Sequence, residues 1–520
     1  METDINCKIM KNLAQYLKQN FNKQEIVTIL NEINFFAPSV VKILEDTNNL
    51  VLYKDLDNYL FNINEKQSGR KENGVYYTET DITNFILEKC ILCKNETMYL
   101  DSSVFDPTCG SGEFILTALK QKIEINNKKT EKKRLIEIIK TIYGNDINID
   151  SVFVTRLRLF LYILNKTDVQ NIKGIGKILQ SNITCKDFFK YNTNKKFDFI
   201  IGNPPYVENK LNYGNMYADI LDKVCYISSK ESVIGFIIPL SYIATPRMSK
   251  IRERVSDTFQ TQYLYNFSDR PACLFTQVHQ KLSIIIAKKS EKRFLFTGNY
   301  QYWYKNERCS LLKNQIAVEN PYASKDFIPK LGNEIDKSIY KKIVTQTISI
   351  NSFFLDKKKE FIENKHCLYL NMRAAFWIKT FLNKHTGNEY KKIYFENEKQ
   401  CHYIYCLFNS SLFWWFWICI SDCWHITKKE LNNFRIPIIY DPKLVIQLAQ
   451  NLEKKLEETK IYIGTKQTDF AYKHKLCIEE IHAIDDYINL LFNLSETESD
   501  YVKKFALKYR MSEGVKRECN

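Results

Sequence analysis

No stretch of this 520-residue sequence is apolar for long enough to cross a bilayer. The most apolar run, Leu412-Phe413-Trp414-Trp415-Phe416-Trp417-Ile418, is bounded by Asn409-Ser410-Ser411 and by Asp422, well short of the roughly 20 residues a spanning helix needs. The start, Met-Glu-Thr-Asp, is no secretory signal. The 15 cysteines are scattered without a paired framework, so a reducing, cytoplasmic setting is expected rather than a disulfide scaffold. Two groups invite a metal reading, Cys90 with Cys93, and Cys401-His402 with Cys406, Cys419, Cys423 and His425. Neither has the paired ligand spacing of a zinc site, and no metal is expected. Internal repeats and strongly biased segments are also missing. The scarcity of glycine, 15 residues against an abundance of Lys, Asn, Ile and Tyr, fits an AT-rich coding sequence and carries no function by itself.

What is present is a globular composition, 45% apolar and 26% charged, in a chain too long for one core, so two or three domains are expected. Lys and Arg exceed Asp and Glu by 75 to 60, a formal +15. Such a surplus suits a polyanionic partner, although a uniformly solvated surface gives the same count.

Residues 1–73 read as a helical lead-in, with apolar spacing at Ile9, Leu13, Tyr16, Leu17 and at Ile26, Ile29, Leu30, Ile33. A polar linker, 66–74, ends in glycine. From 74 to 299 strand and helix patterns alternate. Strands are expected near Val104-Phe105, Thr141–Tyr143, Asn182–Cys185, Phe197–Ile201, Gly235–Pro239, Tyr263–Asn266 and Leu282–Ala287. Helices run over Ile115–Ile123, the segment after Asp146, Tyr217–Ile227 and around Ile251 and Val255, and Thr80 or Asp81 caps one more. This is the spacing of βαβ units, and it predicts an α/β fold with a mostly parallel, seven-stranded sheet. With no helical pattern between them, the last two strands are expected as an antiparallel hairpin at the sheet edge. Residues 300–520 break the alternation and read as a mixed α+β domain with its own core. In it the tryptophan run is core, and Leu444, Leu448, Leu452 and Leu456 mark one helix face.

Two stretches carry chemistry. Phe197–Tyr206 is a buried strand stopped by Asn203-Pro204-Pro205-Tyr206, since two prolines forbid strand or helix from continuing. An amide, a proline-held carbonyl and an aromatic ring are then displayed at a strand's carboxyl end, where α/β sheets bind ligands. Asp106-Pro107-Thr108-Cys109-Gly110-Ser111-Gly112-Glu113-Phe114 follows another strand and opens a helix. It lacks the third glycine of the dinucleotide fingerprint and the lysine of a phosphate loop, so a nucleoside ligand without phosphates fits better. Asp146 and Asp187, at the ends of the next two strands, suit ribose hydroxyls and an adenine amino group. Each residue also has a plainer reading: Asp146 as a helix cap, Cys109 as packing, and Tyr206 and Phe275 as core aromatics.

In this order the motifs resemble the gamma subclass of adenine-specific DNA methyltransferases of type II restriction-modification systems, over about residues 74–290. The resemblance implies a Rossmann-like methyltransferase domain (74–299) that uses S-adenosyl-L-methionine, followed by a target-recognition domain (300–520). It implies cofactor contacts from Tyr77, Thr78, Asp106, Cys109, Gly110, Gly112, Asp146, Asp187, Phe188 and Asn203. Asn203, Pro204 and Tyr206 are the implied catalytic motif, with Tyr206 and Phe275 stacking on the target base. Tyr217 fits the aromatic of the following helix motif, where Asp219 is unusually polar. Some relatives carry a nuclease ahead of the methylating domain, and residues 1–73 show no convincing acidic group with lysine of that kind. Double-stranded DNA is the implied partner, with a separate cognate restriction endonuclease possible and a monomer expected, a dimer being left open. Arg373, Lys379, Lys384, Lys391, Lys392, Lys428 and Lys429 are candidate phosphate contacts. Competing readings are the same chemistry on RNA adenine or a protein glutamine, or a non-catalytic DNA-specificity subunit. The intact Asn203 and Asp106 speak against the last of these.

Overall fold

The computed structural model describes residues 2–37, 53–65, 78–128, 134–275, 279–355, 366–385, 387, 389–464 and 470–511. The polar linker and the expected contact Tyr77 lie outside them.

All seven expected strands form: β1 (Val104–Asp106), β2 (Ile142–Asp146), β3 (Ile183–Cys185), β4 (Phe197–Gly202), β5 (Ser228–Pro239), β6 (Thr261–Phe267) and β7 (Leu282–Lys288). Two more, β8 (Phe294–Gln301) and β9 (Val318–Glu319), extend the sheet to the order β3-β2-β1-β4-β5-β7-β6-β8-β9. Strands β1 to β5 pair in parallel, and β7 lies antiparallel between β5 and β6. The antiparallel pair is therefore interior, not an edge hairpin as expected. β8 pairs in parallel with β6 along its outer side, and it also runs across the anticipated 299/300 boundary. Its sequence, F-L-F-T-G-N-Y-Q, has too few buried positions to announce itself as a strand.

Side chains alternate across the sheet as period two requires. Phe199, Ile201, Val233 and Ile237 face one apolar cluster, while Ile200, Ile234, Phe236 and Ile238 face the other. The first cluster is covered by the lead-in helices α1 (Glu2–Asn20), α2 (Lys23–Asn34) and α3 (Tyr53–Glu65), by α4 (Thr80–Leu92), and by α5 (Glu113–Lys128) and α6 (Ile149–Leu164). The cap of α4 is Glu79, one residue before the expected Thr80 or Asp81. The second cluster is covered by α7 (Met216–Ile227), α8 (Ser249–Thr258) and the C-terminal region.

That C-terminal region was expected to have a separate core. Instead one apolar cluster runs from Phe105 of β1 through to Val502. Its centre is the pair α9 (Glu398–Asn409) and α10 (Ser411–Ile420), in which every residue from Ser411 to Ile420 is buried. Among the described residues no single helix is long and apolar enough to cross a membrane. α9 and α10 together are apolar enough, but they are bent by 62°. The tryptophan run is core, as its composition suggests, and each indole N–H finds an acceptor: Ala375 O for Trp414, Asp336 Oδ1 for Trp415 and His425 O for Trp417. Tyr302, just after β8, stacks towards Trp414 and Tyr509, so the aromatic-rich stretch after 300 is the seam between sheet and C-terminal region. In the helix α11 (Pro442–Thr459) the buried face is Val445, Ala449, Leu452 and Leu456, because a 3.6-residue period drifts off a strict four-residue spacing and leaves Leu444 and Leu448 at the margin.

Asp485, on α12 (Ile478–Leu491), accepts the backbone N–H of Ser411 at the start of α10 at 2.7 Å. Burial pushes its carboxyl up to about 6, against the pull of the Ser411 bond and of Arg510. The folded state therefore binds this proton more tightly than the unfolded chain. Stability from this group is full below an ordinary aspartate pKa and is lost as pH rises through about 6. Asp485→Asn should leave the melting temperature nearly unchanged at about pH 4 and raise it at about pH 7.5, by the equivalent of about 2–3 kcal/mol. Parallel pH profiles for variant and wild type would contradict this.

Candidate cofactor and transfer site

The carboxyl ends of β1, β2, β3 and β4 open on a cavity of about 640 Å³, within the range of about 300–1,000 Å³ typical of small-molecule sites. Its lining includes Thr78, Asp106, Cys109, Gly110, Asp146, Asp187, Phe188 and Asn203. The structure thus brings two motifs almost a hundred residues apart to one wall. Gly112 shapes the turn from behind rather than lining the cavity.

The glycine turn is built by its surroundings. Asp106 is 1% exposed, and its Oδ1 accepts the Thr108 N–H at 3.0 Å. A Cβ at Gly202, on neighbouring β4, would stand 2.8 Å from that same Oδ1, so the strand passes there only as glycine. Gly112 has φ +83°, and a Cβ on it would lie 2.7 Å from Thr155 Cγ2. The Thr155 hydroxyl in turn donates to Gly110 O at 2.8 Å. Burial holds the Asp106 carboxyl well above the usual carboxylate range, the Thr108 N–H pulls it down, and the charge of Asp146 raises it further. Burial likewise pushes the Cys109 thiol up, which suits packing rather than nucleophilic attack.

Asp146 does not cap the following helix. Asn148 does, accepting the N–H groups of Asp150 and Ser151, while Asp146 Oδ2 accepts the Gly110 N–H at 2.9 Å and Oδ1 accepts that of Asn148. Asp187 begins a short 3-10 turn, Phe188–Lys190, and accepts the Phe189 N–H. Lys223 of α7 reaches that turn and donates to the carbonyls of Phe188 and Phe189.

Asn203 closes the cavity from the β4 side. The Tyr206 hydroxyl lies 2.7 Å from Asn203 Oδ1 and 3.0 Å from Ile237 O, and donates to them. Pro204 is buried, and Tyr217 meets the Tyr206 ring edge-on at 6.4 Å while its own hydroxyl is 3.2 Å from Ser241 Oγ. Asp219, the polar departure in α7, is buried, its carboxyl raised by burial and receiving the Asn209 amide at 3.0 Å. Phe275 is placed elsewhere. It is 2% exposed, packed in the apolar cluster that includes Phe267 and Trp303, and is not part of the cavity lining. Of the candidate phosphate contacts, Lys429 is spent on Ala244 O, Ile420 O and Glu430, a tie between the C-terminal region and the short helix Ser241–Ala244 after β5, and Lys379 is held below its ordinary pKa by burial. Arg373 pairs with Glu389 but stays largely exposed, and Lys384, Lys391, Lys392 and Lys428 are exposed.

Two residues matter here that the motifs do not contain. Asn145, buried beside Asp146, donates to Pro107 O and Lys186 O and accepts from Thr184, tying the ends of three strands together. Arg158 of α6 donates to Ser111 O and to Glu113, and also pairs with Asp57 of the lead-in at 2.7 Å. The lead-in, expected to carry no chemistry, is thereby wired to the cavity turn. A buried asparagine after a strand glycine was a readable hint. A guanidinium serving a segment about a hundred residues away was not.

A nucleoside-bearing sulfonium cofactor suits these groups. Two buried hydroxyl oxygens on the lining, Thr108 Oγ1 and Ser111 Oγ, have no partner. Carboxylates stand at three strand ends, and Phe114, Phe188, Phe189 and Ile220 supply flat apolar walls.

Comparison with known proteins agrees with this geometry. Residues 140–273 match the model of the Eco57I restriction-modification methylase family. The chain is 22% identical over 322 residues to the type II restriction enzyme and methyltransferase RM.Eco57I of Escherichia coli, covering 50% of this chain and 32% of that protein. It is 26% identical over 131 residues to the adenine-specific methyltransferase PglX of Streptomyces coelicolor, covering 24% and 10%. Both matches span less than half of the relative's length. The structure of the type IIL restriction-modification enzyme MmeI in complex with DNA is similar at a TM-score of 0.51 and 12% identity, over 91% of this chain and 83% of that one. The resemblance to restriction-modification methylases holds. The Rossmann-like α/β fold is shared with MmeI, and the methylase family match implies S-adenosyl-L-methionine as the cofactor.

Arg158→Met should cost about 3–5 kcal/mol of folding stability in urea titration, because Glu113 and Asp57 are left without their shared cation. A loss under about 1 kcal/mol would mean that water already screens the network.

Proposed function

We propose that this chain is a site-specific DNA methyltransferase that moves a methyl group from S-adenosyl-L-methionine to the exocyclic N6 amino group of an adenine turned out of the duplex. The observation that carries this reading is that Asn203 faces the same cavity as Asp106, Gly110, Asp146 and Asp187. Tyr77 and Thr78 would cover the cofactor's methionine part, Thr78 being on the lining. Gly110 and Cys109 let the backbone approach, Asp146 takes the ribose hydroxyls, and Asp187 with Phe188 takes the adenine. Bound there, the cofactor supplies a methyl group on a positively charged sulfur, so no covalent enzyme intermediate is required.

The remaining work falls to the chain. Adenine's amino nitrogen is a weak nucleophile because its lone pair is delocalised into the ring, and a duplex hides it. Turning the base out costs roughly a few kcal/mol, which stacking and edge hydrogen bonds must offset. The Asn203 amide oxygen and the Pro204 carbonyl accept the two amino hydrogens, localising the lone pair and aiming it into the cavity. An amide oxygen has two lone pairs, so the Tyr206 bond and an adenine N–H can share it. Alignment of this kind supplies much of a transfer enzyme's rate. Tyr206 offers its ring to the base. Phe275, in this reading, must first be uncovered to stack on the other side. The proton leaves to water.

Double-stranded DNA in the cytoplasm is the proposed partner, contacted through Arg373, Lys384, Lys391, Lys392 and Lys428, and a separate endonuclease would complete a restriction-modification pair. Supporting this are the +15 charge and the family match.

Asn203→Ala should leave cofactor affinity within about two-fold by calorimetry while methyl transfer to DNA falls by about a hundred-fold or more. Retained turnover would sink the assignment. DNA affinity should also drop steeply between low and physiological salt, whereas a flat salt response would remove the phosphate contacts.

A further inference from the structure

Among the described tryptophans Trp424 alone is exposed, at 41%. It follows the buried tryptophan helix by only a few residues, and its loop is built rather than slack. Asp422 Oδ1 accepts the N–H groups of both Trp424 and His425, at 2.9 and 3.2 Å, and Cys423 is held at φ +58° with its N–H on Ser421 Oγ. From the other side Ala374 N–H donates to Trp424 O, Ile426 N–H to Met372 O, and the buried Trp417 indole to His425 O. A left-handed non-glycine residue costs free energy, and here it is spent on presenting a large apolar ring to solvent.

The ring's position is informative. The Lys281 ammonium sits 4.1 Å from its centroid and pairs with the buried Asp269 at 3.4 Å, so it braces one face of the ring and leaves the other to a ligand. Lys281 immediately precedes β7, and its carbonyl accepts the N–H of Leu240, the residue after β5 ends. The same strand β5 carries Ile237 O, which holds the Tyr206 hydroxyl. Trp424 therefore stands on the rim at the carboxyl ends of the strands, on the side where Asn203 and Tyr206 lie. Arg373, which bridges to His425, is 60% exposed even while paired with Glu389.

We infer that Trp424 is a stacking platform for a nucleobase that has left the duplex stack, with the exposed Arg373 beside it for an adjoining phosphate. An indole face accepts any base, because every base has a π-face, and the neighbouring guanidinium meets the backbone charge. The inference rests on the DNA reading above. It adds a second aromatic contact, supplied by the C-terminal region, for a base next to or opposite the one being modified.

The test uses the full chain and two short fluorescein-labelled duplexes of the same arbitrary sequence, one fully paired and one with a central bulged adenine, followed by anisotropy. The wild type should prefer the bulged duplex by about ten-fold, and Trp424→Ala should abolish that preference while Trp424→Phe keeps most of it. Trp424→Leu, which preserves an apolar side chain, should behave like the alanine variant, and unchanged melting temperatures show that the fold is intact. Equal preference in wild type and Trp424→Ala, or no preference in the wild type, overturns the inference. Transfer of labelled methyl to genomic DNA is measured alongside. A wild type that prefers the bulge but transfers no methyl group leaves the platform standing and refutes the reading it rests on, and one that methylates without the preference does the reverse.

Discussion

One phenol ties the asparagine at the cavity's edge to the central sheet. Tyr206 donates its hydroxyl hydrogen between Asn203 Oδ1 and the carbonyl of Ile237, so the side chain that follows β4 is fastened near the carboxyl end of β5. That bond holds one side of the half-buried Asn203 amide just before the two prolines. With it, the carbonyl oxygen is set relative to a sheet whose neighbouring strands supply the rest of the cavity. Because proline rings remove both the N–H and the freedom of φ, the chain between Asn203 and Tyr206 has few other conformations to lose. The rigidity is local in sequence but depends on a long-range pairing, β4 with β5, for its direction.

The glycine turn depends on a comparable set of ties. Asn145 knots the ends of β1, β2 and β3, Thr155 holds Gly110 O, and Arg158 gathers Ser111, Glu113 and Asp57. Each is a buried polar group paired to backbone or to opposite charge, as burial demands. In return, α3 of the lead-in becomes part of the machinery that shapes the turn. The C-terminal region is joined on the other face of the sheet, through Lys429 to Ala244 and Ile420 and through the aromatic seam at Tyr302. The apolar cluster on that face is thus continuous, and the boundary expected near residue 300 does not separate two cores.

Much of this could be read from the residues. Strands such as β4, β5 and β7 announce themselves because interior strands buried on both faces are short unbroken apolar runs, and the prolines after β4 stop it sterically. Asp106, Asp146, Asp187 and Asn203 could be placed together because βαβ topology puts every strand's carboxyl end on one side. What stayed illegible has physical reasons. β8 is half polar, since its outer neighbour is only the two-residue β9, so it did not stand out as a strand. Phe275 carries a motif's aromatic, yet its ring is packed away, which no spacing reveals. Lys429 looks like any surface lysine in the sequence but is held by two carbonyls and a glutamate. Asn145 and Arg158 act through partners tens of residues or more away in the chain, and single-sequence patterns report only what is near.

The central claim is that the amide at the end of β4 presents an adenine amino group to a methyl donor. It is tested most directly by incubating the full chain with methyl-labelled S-adenosyl-L-methionine and genomic DNA, digesting the DNA to nucleosides, and locating the label. The account predicts label in N6-methyldeoxyadenosine. Label confined to methylated cytosine, to RNA or to protein, or no label in any of them, would contradict it.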